Sequence, residues 1–339
     1  MKKNILIIFS AVVILVLFFA WKIFGPVAKV VEGKYFFIKT SDTYLEVKKN
    51  LAEQHGIGKL WFDFIAKRMN YQKGVKPGRY EIKEGMSLFH LTRMLKKGNQ
   101  SPVNLVITKL RTIEDLARKV GNLFECDSLA MIYFLKNTDS ISRYHLDSNV
   151  VMTAVIPNTY TYFWNSTPGK IFKKLVAESE KFWTDDRKQK AAAYGLTPIE
   201  AYTLASIVEE ETRMKSDKGN ISSVYLNRKA LGMPLQADPT VKFALKDFSL
   251  RRIYQKHLEI ESPYNTYFVK GLPPGPICTP SIETIDELLN SPKTNYLYFV
   301  ASSKFDGSSV FAASYKEHLK YAAEYHKALN ALDTNRKKQ

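Results

Sequence analysis

The chain starts with a short basic tip and a long apolar run. Lys2 and Lys3 precede a segment from Asn4 to Trp21 that contains no charged side chain. A helix of roughly 20 such residues can cross a bilayer. The run is longer than the apolar part of a typical signal peptide, and no A-x-A-like cleavage site follows it. The sequence therefore predicts an uncleaved membrane anchor within residues 1–25.

The charges around this anchor predict its orientation. Lys2 and Lys3 lie directly before the apolar run, although Lys22 and Lys29 after it weaken the asymmetry. Positive charges favour the cytoplasmic side of a membrane. We therefore expect a cytoplasmic N-terminus and an extracytoplasmic functional domain.

The formal net charge of +17 is spread along the chain among acidic residues. No RNP, zinc-finger or basic-zipper pattern accompanies it, so the charge indicates affinity for anionic lipid or wall polymer rather than for nucleic acid. Cys126 and Cys278 are far apart and form no C-x-x-C motif, and we expect both to be free and partly buried. We expect no metal and no cofactor.

The pattern of apolar residues and turn signals predicts an α+β fold with a small and a large part. Residues 33–106 combine short strands, at 35–38 and 80–82, with helices, and Gly98 closes the last of these. Residues 107–333 form the larger mixed part, whose final helix covers about 314–332. Residues 334–339 are predicted to be a basic tail.

A helix that begins after Thr197 carries the most informative residues. Thr197 is a suitable N-cap, Pro198 suits the first helical position, and Glu200 completes a capping box. At 100° per residue, Glu211 falls midway across the apolar face of this helix. The same projection points Glu209 and Glu210 away, and we expect both to be solvated.

A carboxyl group on an apolar face loses hydration when it ionises, so its pKa rises. Glu211 could then hold a proton near neutral pH, as a general acid must. The alternative is a structural ion pair with Arg213 or Arg228. The sequence has no H-E-x-x-H, G-x-S-x-G, P-loop or G-x-G-x-x-G motif to support competing chemistries, and Glu317-His318 is interpreted as a structural helix pair.

Polar and aromatic clusters follow this helix, and amides, carboxylates and aromatic rings are the groups that bind sugars. These clusters and the helix together resemble the endolytic murein transglycosylases of the YceG-like family. The motifs that carry the resemblance are Ala205 to Thr212, Val224 to Arg228, Leu235 to Thr240, Tyr264 to Tyr267 and Gly271 to Gly275.

The resemblance implies a catalytic role for Glu211, the residue that the helical projection also selects. It implies cleavage of the β-1,4 bond between N-acetylmuramic acid and N-acetylglucosamine in nascent glycan strands. The products would be 1,6-anhydromuramic ends, and the enzyme would terminate strand elongation. Our candidates for holding the sugar or orienting Glu211 are Asn227, Gln236, Asp238, Tyr264 and Asn265.

The resemblance further implies a LysM-like subdomain at residues 33–106 and a catalytic domain at 107–333. It places the chain in the bacterial plasma membrane as a single-pass protein with its catalytic domain outside. Peptidoglycan glycan strands are the expected partner, and peptidoglycan synthases are a candidate partner class.

Two alternatives remain open at this stage. In a hydrolytic muramidase, Asp238 would activate water opposite Glu211, and the products would be reducing ends. In a non-catalytic scaffold, the LysM-like part would bind glycan without cleaving it, although a scaffold has little reason to place a carboxyl group on an apolar face.

Overall fold

The computed structural model describes residues 2–29, 34–250 and 252–336. It is 55% helical and 9% strand, which confirms the predicted α+β class. The chain divides into two compact units. The first comprises Met1–Leu105, Val120–Asp127 and Tyr160–Thr167, and the second comprises Val106–Lys119, Ser128–Thr159 and Pro168–Gln339.

Helix α1 (Lys2–Phe24) contains the apolar run. Its 23 residues correspond to a length of about 35 Å, which exceeds the roughly 30 Å hydrocarbon core of a bilayer. Its large apolar side chains, such as Leu6 and Ile14, are mostly exposed. Among the described residues, this is the helix that is long and apolar enough to cross a membrane, properties that an anchor shares with a signal sequence.

The first unit contains short strands packed on helices. After α1 its elements are β1 (Tyr35–Ile38), α2 (Tyr44–His55), α3 (Lys59–Arg68), a 3-10 turn (Tyr71–Lys73), β2 (Gly78–Glu81), α4 (Leu88–Lys97), most of β3 (Val103–Val106) and most of β4 (Thr159–Tyr162). Strands β1 and β2 are antiparallel, with Tyr35 opposite Glu81, and β3 pairs with β4. The core of this unit includes Phe36, Leu51 and Tyr80.

Local sequence signals explain where the helices of the first unit begin and end. Thr43 and Glu46 form a capping box at the start of α2. Gly56 and Gly98 end α2 and α4 in the left-handed conformation, which glycine adopts without a steric penalty. The LysM-like character of this part of the chain and the domain boundaries given above remain predictions.

Helix α5 (Ile113–Leu123) starts in the second unit and ends in the first. The other helices and strands of the second unit are α6 (Ser128–Lys136), α7 (Thr138–Ile141), two 3-10 turns (Ser142–Tyr144, Val151–Ala154), α8 (Pro168–Phe182), α9 (Asp185–Ala193), α10 (Pro198–Glu211), α11 (Lys215–Ala230), α12 (Asp238–Leu245), α13 (Gln255–Leu258), α14 (Ile282–Leu289), β5 (Tyr298–Ala301), β6 (Ser309–Ala312) and α15 (Tyr315–Arg336).

Helix α10 lies at the centre of the second unit and contacts α11, α12 and α14. Its N-terminus has the predicted capping box, in which Thr197 and Glu200 bond each other's backbone N–H groups. Every residue from Ala201 to Val208 is buried. The prediction of a single apolar face was therefore wrong, because a helix that is surrounded by other elements is buried on all sides.

The C-terminal helix is longer than predicted. Helix α15 extends to Arg336, so residues 334–336 of the predicted basic tail are helical, and 337–339 lie outside the described residues. Strands β5 and β6 precede it as an antiparallel pair with Tyr298 opposite Ala312. Cys126 and Cys278 are both free, as expected; the first is partly buried and the second is buried.

Candidate active site

Glu211 is the last residue of α10, at the point where the helix leaves the core. Its side chain is partly buried, and the hydroxyl of Tyr225 donates a hydrogen bond of 2.6 Å to its Oε1 atom. Burial raises the pKa of Glu211 to about 7. The hydrogen bond from Tyr225 acts in the opposite direction, and the charge of Asp238 raises the pKa further. Glu211 therefore exchanges its proton near neutral pH.

Glu211 faces a cavity of about 360 Å³. The cavity walls come from α10, α11, the loop before α12, the first residue of α12, the loop after α13, β5 and α15. The lining residues are Glu211, Tyr225, Arg228, Leu235, Gln236, Asp238, Tyr267, Tyr298, Phe299, Tyr315 and His318. Tyrosine rings, the amide of Gln236 and the carboxyl group of Asp238 therefore surround Glu211, which exchanges its proton near neutral pH.

Tyr225, the hydrogen-bond partner of Glu211, is packed in the protein interior. It lies on α11, is fully buried, and packs edge-on against Phe299 of β5 with ring centroids 6.0 Å apart. Burial raises the pKa of its phenol well above the ordinary value. The hydroxyl therefore remains protonated and acts as a hydrogen-bond donor to Glu211.

Arg228, one turn further along α11, connects two segments of the cavity wall. Its Nε atom donates to the carbonyl of Leu297 and its Nη1 atom donates to the carbonyl of Leu235, both at 2.7 Å. The guanidinium group lies 5.2 Å from the ring centroid of Tyr298. Among the described residues Glu211 forms no ion pair, so the alternative of a structural pair with Arg213 or Arg228 does not apply.

Gln236 and Asp238 project from the segment that leads into α12. Gln236 adopts a left-handed backbone conformation with φ of 53°, and its N–H group donates to the carbonyl of Thr266. Such a conformation is unfavourable for a residue with a side chain and is often found at functional sites. Asp238 accepts a hydrogen bond of 2.6 Å from the hydroxyl of Tyr267. Both side chains are exposed and line the cavity.

The other predicted sugar-binding residues lie outside the cavity lining. The amide of Asn227 donates to the carbonyls of Thr294 and Tyr296. Asn265 is fully buried, and its amide donates to Leu258 and Ile260. These two amides hold backbone carbonyls of neighbouring loops. A role for Asn227 and Asn265 in holding the sugar or orienting Glu211 stays a prediction.

Tyr264 also lies away from the cavity. Its ring packs on Phe243 with centroids 4.8 Å apart, and burial raises the pKa of its phenol. Of the six predicted site residues, the structure therefore brings Glu211, Gln236 and Asp238 together in one cavity.

The aromatic wall from β5 and α15 was missed by the sequence analysis. The rings of Tyr298 and His318 are stacked with centroids 5.4 Å apart, and the Tyr315 ring contacts both, with its centroid 6.1 Å from that of His318 and 5.7 Å from that of Tyr298. Burial lowers the pKa of His318, with a smaller contribution from the charge of Arg228. Glu317 has the expected structural role, since its carboxylate accepts the N–H groups of Ala313 and Ser314, but His318 lines the cavity.

Glu209 and Glu210 are not solvated, contrary to the prediction. Their side chains are only 17% and 16% exposed. Glu210 pairs with Lys109 and Arg111, at 3.2 and 3.0 Å. Glu209 accepts hydrogen bonds from Ser281 and Thr284 and lies 3.7 Å from Lys218. Because α10 is surrounded, its neighbouring glutamates also point towards other elements and are neutralised there.

The site has the parts that a general acid–base enzyme requires, namely a protonatable carboxyl group, a hydrogen-bonded orienting group and a polar cavity. Within the described part of the chain, no group of three or more His, Cys, Asp or Glu side chains is arranged to hold a metal ion.

Comparison with known proteins places this site in a family. The model of the YceG-like family matches residues 36–324. The chain therefore belongs to the YceG-like family, as its motifs indicated.

Similar proteins are known from several bacteria. A protein of Bacillus subtilis (strain 168) named endolytic murein transglycosylase is 30% identical over 272 residues, which cover 74% of this chain and 73% of the relative. A protein of the same name from Streptococcus pneumoniae (strain ATCC BAA-255 / R6) is 30% identical over 311 residues, covering 80% of this chain. The chain spans 54% of that relative's length.

A solved structure supports the fold. The 2.6 Å crystal structure of a putative YceG-like protein from Listeria monocytogenes matches with a TM-score of 0.57 and 25% sequence identity. The match covers 84% of this chain and 97% of the Listeria chain.

Proposed function

We propose that this chain is a membrane-anchored lytic transglycosylase that cuts peptidoglycan glycan strands and uses Glu211 as its only general acid and base. Family membership and the names of the relatives support the enzyme class and the substrate. The observation that carries the site assignment is the Glu211 carboxyl group, which lines the cavity and has a pKa of about 7.

The bond to be cut joins C1 of N-acetylmuramic acid to the oxygen of N-acetylglucosamine. Because Oε1 of Glu211 accepts the hydrogen bond from Tyr225, Oε2 carries the proton. Glu211 gives this proton to the bridging oxygen as the C1–O bond breaks. The Glu211 carboxylate then takes the proton from the muramoyl 6-hydroxyl while that oxygen bonds to C1.

This sequence of steps returns Glu211 to its protonated form and consumes no water. The substrate supplies the nucleophile, so the paired carboxylate of ordinary retaining hydrolysis is not required. Tyr225 stabilises the transient carboxylate through its hydrogen bond. Gln236, Asp238 and the aromatic wall of Tyr298, Tyr315 and His318 are placed to hold the sugars.

Asp238 is the candidate base for the alternative hydrolytic reaction, because it lines the same cavity as Glu211 and is exposed to solvent. In that case Asp238 would activate a water molecule, and the products would be reducing muramic ends. The hydrogen bond from Tyr267 holds the Asp238 side chain in place, which suits both sugar binding in a transglycosylase and water activation in a hydrolase.

We test the assignment with the full chain in detergent and purified peptidoglycan. Wild-type protein should release fragments with anhydromuramic ends. Glu211→Gln should release none, because the amide keeps the shape but cannot transfer the proton. Glu261→Gln removes an exposed carboxylate of the same unit and should be fully active. Full activity of Glu211→Gln would contradict the site assignment.

The anchor and its orientation are part of the proposal. Helix α1 would hold the N-terminus in the cytoplasm and the remaining chain outside, where glycan strands are made. Lys3 and Lys320 are both exposed. In intact cells, with the outer envelope made permeable where one is present, a membrane-impermeant maleimide should label Lys320→Cys and leave Lys3→Cys unlabelled, when both variants also carry Cys126→Ser and Cys278→Ser. The reverse pattern would contradict the proposed topology.

The proposed place of action leaves two further expectations. An enzyme that cuts nascent strands would end their elongation, and it would work beside the peptidoglycan synthases. Cells that carry Glu211→Gln in place of the wild-type chain should accumulate longer glycan strands, and unchanged strand length would contradict the role in termination.

A further inference from the structure

Arg228 is a buried cation whose hydrogen-bonding capacity is only partly used. It is 8% exposed and lines the cavity of Glu211. Its Nε and Nη1 atoms donate to the carbonyls of Leu297 and Leu235. A guanidinium group has five N–H donors, and Nη2 has no hydrogen bond to any described residue. Donors on Nη2 are therefore left for a ligand.

The charge of Arg228 also has no ion-pair partner in the part of the chain that the structure describes. Of the acids near it, Glu211 has a raised pKa and already accepts a hydrogen bond from Tyr225. A buried charge without a counter-charge is costly. A ligand that brings an acceptor oxygen to Nη2 would offset part of this cost.

Positive charge in the described cavity lining comes from Arg228. Of the described lining residues it is the only lysine or arginine, and burial lowers the pKa of His318, which keeps the imidazole neutral. The guanidinium group lies over the ring of Tyr298, and its bonds to the two carbonyls fix its position. Arg228 is therefore the one cation in the described cavity lining, whereas Lys242, whose charge also acts on Glu211, lies outside that lining.

The proposed substrate contains one feature that such a cation would recognise. The two sugars of a glycan strand differ in the lactyl group on O3 of muramic acid. The carboxyl group of the lactyl unit is joined as an amide to the stem peptide in nascent strands and is a free carboxylate where the stem has been removed, and both forms offer an oxygen that accepts a hydrogen bond. We propose that Arg228 binds an oxygen of this lactyl carboxyl group and so makes the cavity selective for muramic acid. This inference rests on the proposed function, because it names the lactyl group as the substituent by which the enzyme recognises its substrate.

The chemistry of the lactyl group allows a sharp test. In strands without stem peptides the group is a carboxylate, and it can be converted chemically to a methyl amide. Arginine binds a carboxylate more tightly than an amide oxygen, because the hydrogen bond is charge-assisted on both sides. A contact to the N-acetyl group would not distinguish the two forms.

We would measure dissociation constants for the full chain in detergent on the Glu211→Gln background. The ligands are stem-free glycan fragments, the same fragments as methyl amides, and chitin fragments of equal length, which lack the lactyl group. The carboxylate form should bind about tenfold more tightly than the methyl amide, and chitin fragments should bind most weakly.

Adding Arg228→Gln should reduce the ratio between carboxylate and amide to about one. Arg187→Gln is the matched control, since Arg187 also holds a backbone carbonyl and pairs with Asp286, outside the cavity. It should keep the full ratio. An unchanged ratio in Arg228→Gln would overturn the proposal.

Arg228→Gln also removes two bonds to backbone carbonyls and could fail to fold. The Glu211→Gln protein alone still decides the question in that case, because equal affinity for the carboxylate and the amide would overturn the proposal without any change at Arg228. Failure of the proposed function has a different signature. If the wild-type chain does not cleave glycan strands but the carboxylate still binds more tightly than the methyl amide, the proposed reaction is contradicted and the Arg228 subsite stands. If cleavage is normal but the two ligands bind equally, the Arg228 subsite is contradicted and the reaction stands.

Discussion

Tyr225 donates its hydroxyl hydrogen to Oε1 of Glu211 at a distance of 2.6 Å. The two residues lie on consecutive helices, α10 and α11, and the phenol is fully buried. The contact opposes the effect of burial, which raises the pKa of Glu211 to about 7. The pair therefore determines the pH range in which Glu211 can both give and take a proton.

The pH dependence of cleavage should follow from this pair. Wild-type activity should fall above about pH 7, where the general acid loses its proton. Tyr225→Phe removes a hydrogen bond that stabilises the carboxylate, so the pKa of Glu211 should rise. The descending limb of the rate profile should move to higher pH by about one unit, and kcat should fall about tenfold.

Tyr194→Phe is the control for this measurement. Like Tyr225, Tyr194 donates a hydrogen bond from its hydroxyl group, but the acceptor is the backbone carbonyl of Ser291. Tyr194 is outside the cavity lining. Its profile should match the wild type. If the descending limb of the pH–rate profile lies at the same pH in Tyr225→Phe as in the wild type, the hydrogen bond does not affect the pKa of Glu211.

Glu211 should also make stability depend on pH. Its pKa is raised from 4.5 to about 7, so the folded state binds the proton more tightly than the unfolded state does. The stabilisation is fully present below pH 4.5 and is lost as pH rises through 7. Glu211→Gln stays neutral and should be more stable than the wild type at pH 8, by at most about 3 kcal/mol.

Thermal melting of both full-length proteins at pH 4 and pH 8 measures this difference. The melting temperatures should be similar at pH 4 and should diverge at pH 8 in favour of Glu211→Gln. Equal melting temperatures at both pH values would mean that burial does not perturb Glu211.

Asp238→Asn separates the two reaction types. Asp238 contributes a hydrogen bond to Tyr267 and a negative charge near Glu211. A transglycosylase does not require this charge for proton transfer, so the variant should keep activity within about a hundredfold of wild type, with unchanged products. Loss of all activity in a variant that still melts as the wild type does would favour hydrolysis with Asp238 as the base.

The amide of Gln236 is expected to contact sugar. Gln236→Gly deletes the side chain and also suits the left-handed backbone at this position, so stability should not fall. The Michaelis constant for glycan strands should rise about fivefold to tenfold, as expected for the loss of one or two hydrogen bonds. A higher Michaelis constant with a lower melting temperature would instead indicate a structural role.

Local signals in the sequence were sufficient to predict the parts of the fold that depend on neighbouring residues. The capping box of Thr197 and Glu200 fixed the start of α10, and Gly98 fixed the end of α4. The helical projection also selected Glu211, whose catalytic role stays a prediction, but on an incomplete argument. Among the described residues, Glu211 differs from Glu209 and Glu210 in forming no ion pair, which is a tertiary property.

The rest of the site depends on contacts between distant segments. Tyr298 and His318 lie in β5 and α15, and no periodicity within either segment relates them to Glu211. Asn265 has the chemistry of a sugar-binding residue, yet it is used to hold two backbone carbonyls of its own loop. Residue type and spacing do not distinguish these two uses of an amide.

The fate of water in the reaction tests the central claim most directly. Full-length protein would digest peptidoglycan in water enriched in the heavy oxygen isotope, and mass spectrometry would examine the new muramic ends. The account predicts ends that are lighter than hydrolysis products by one water molecule and contain no heavy oxygen. Ends that carry one heavy oxygen atom would contradict it and would identify a hydrolase.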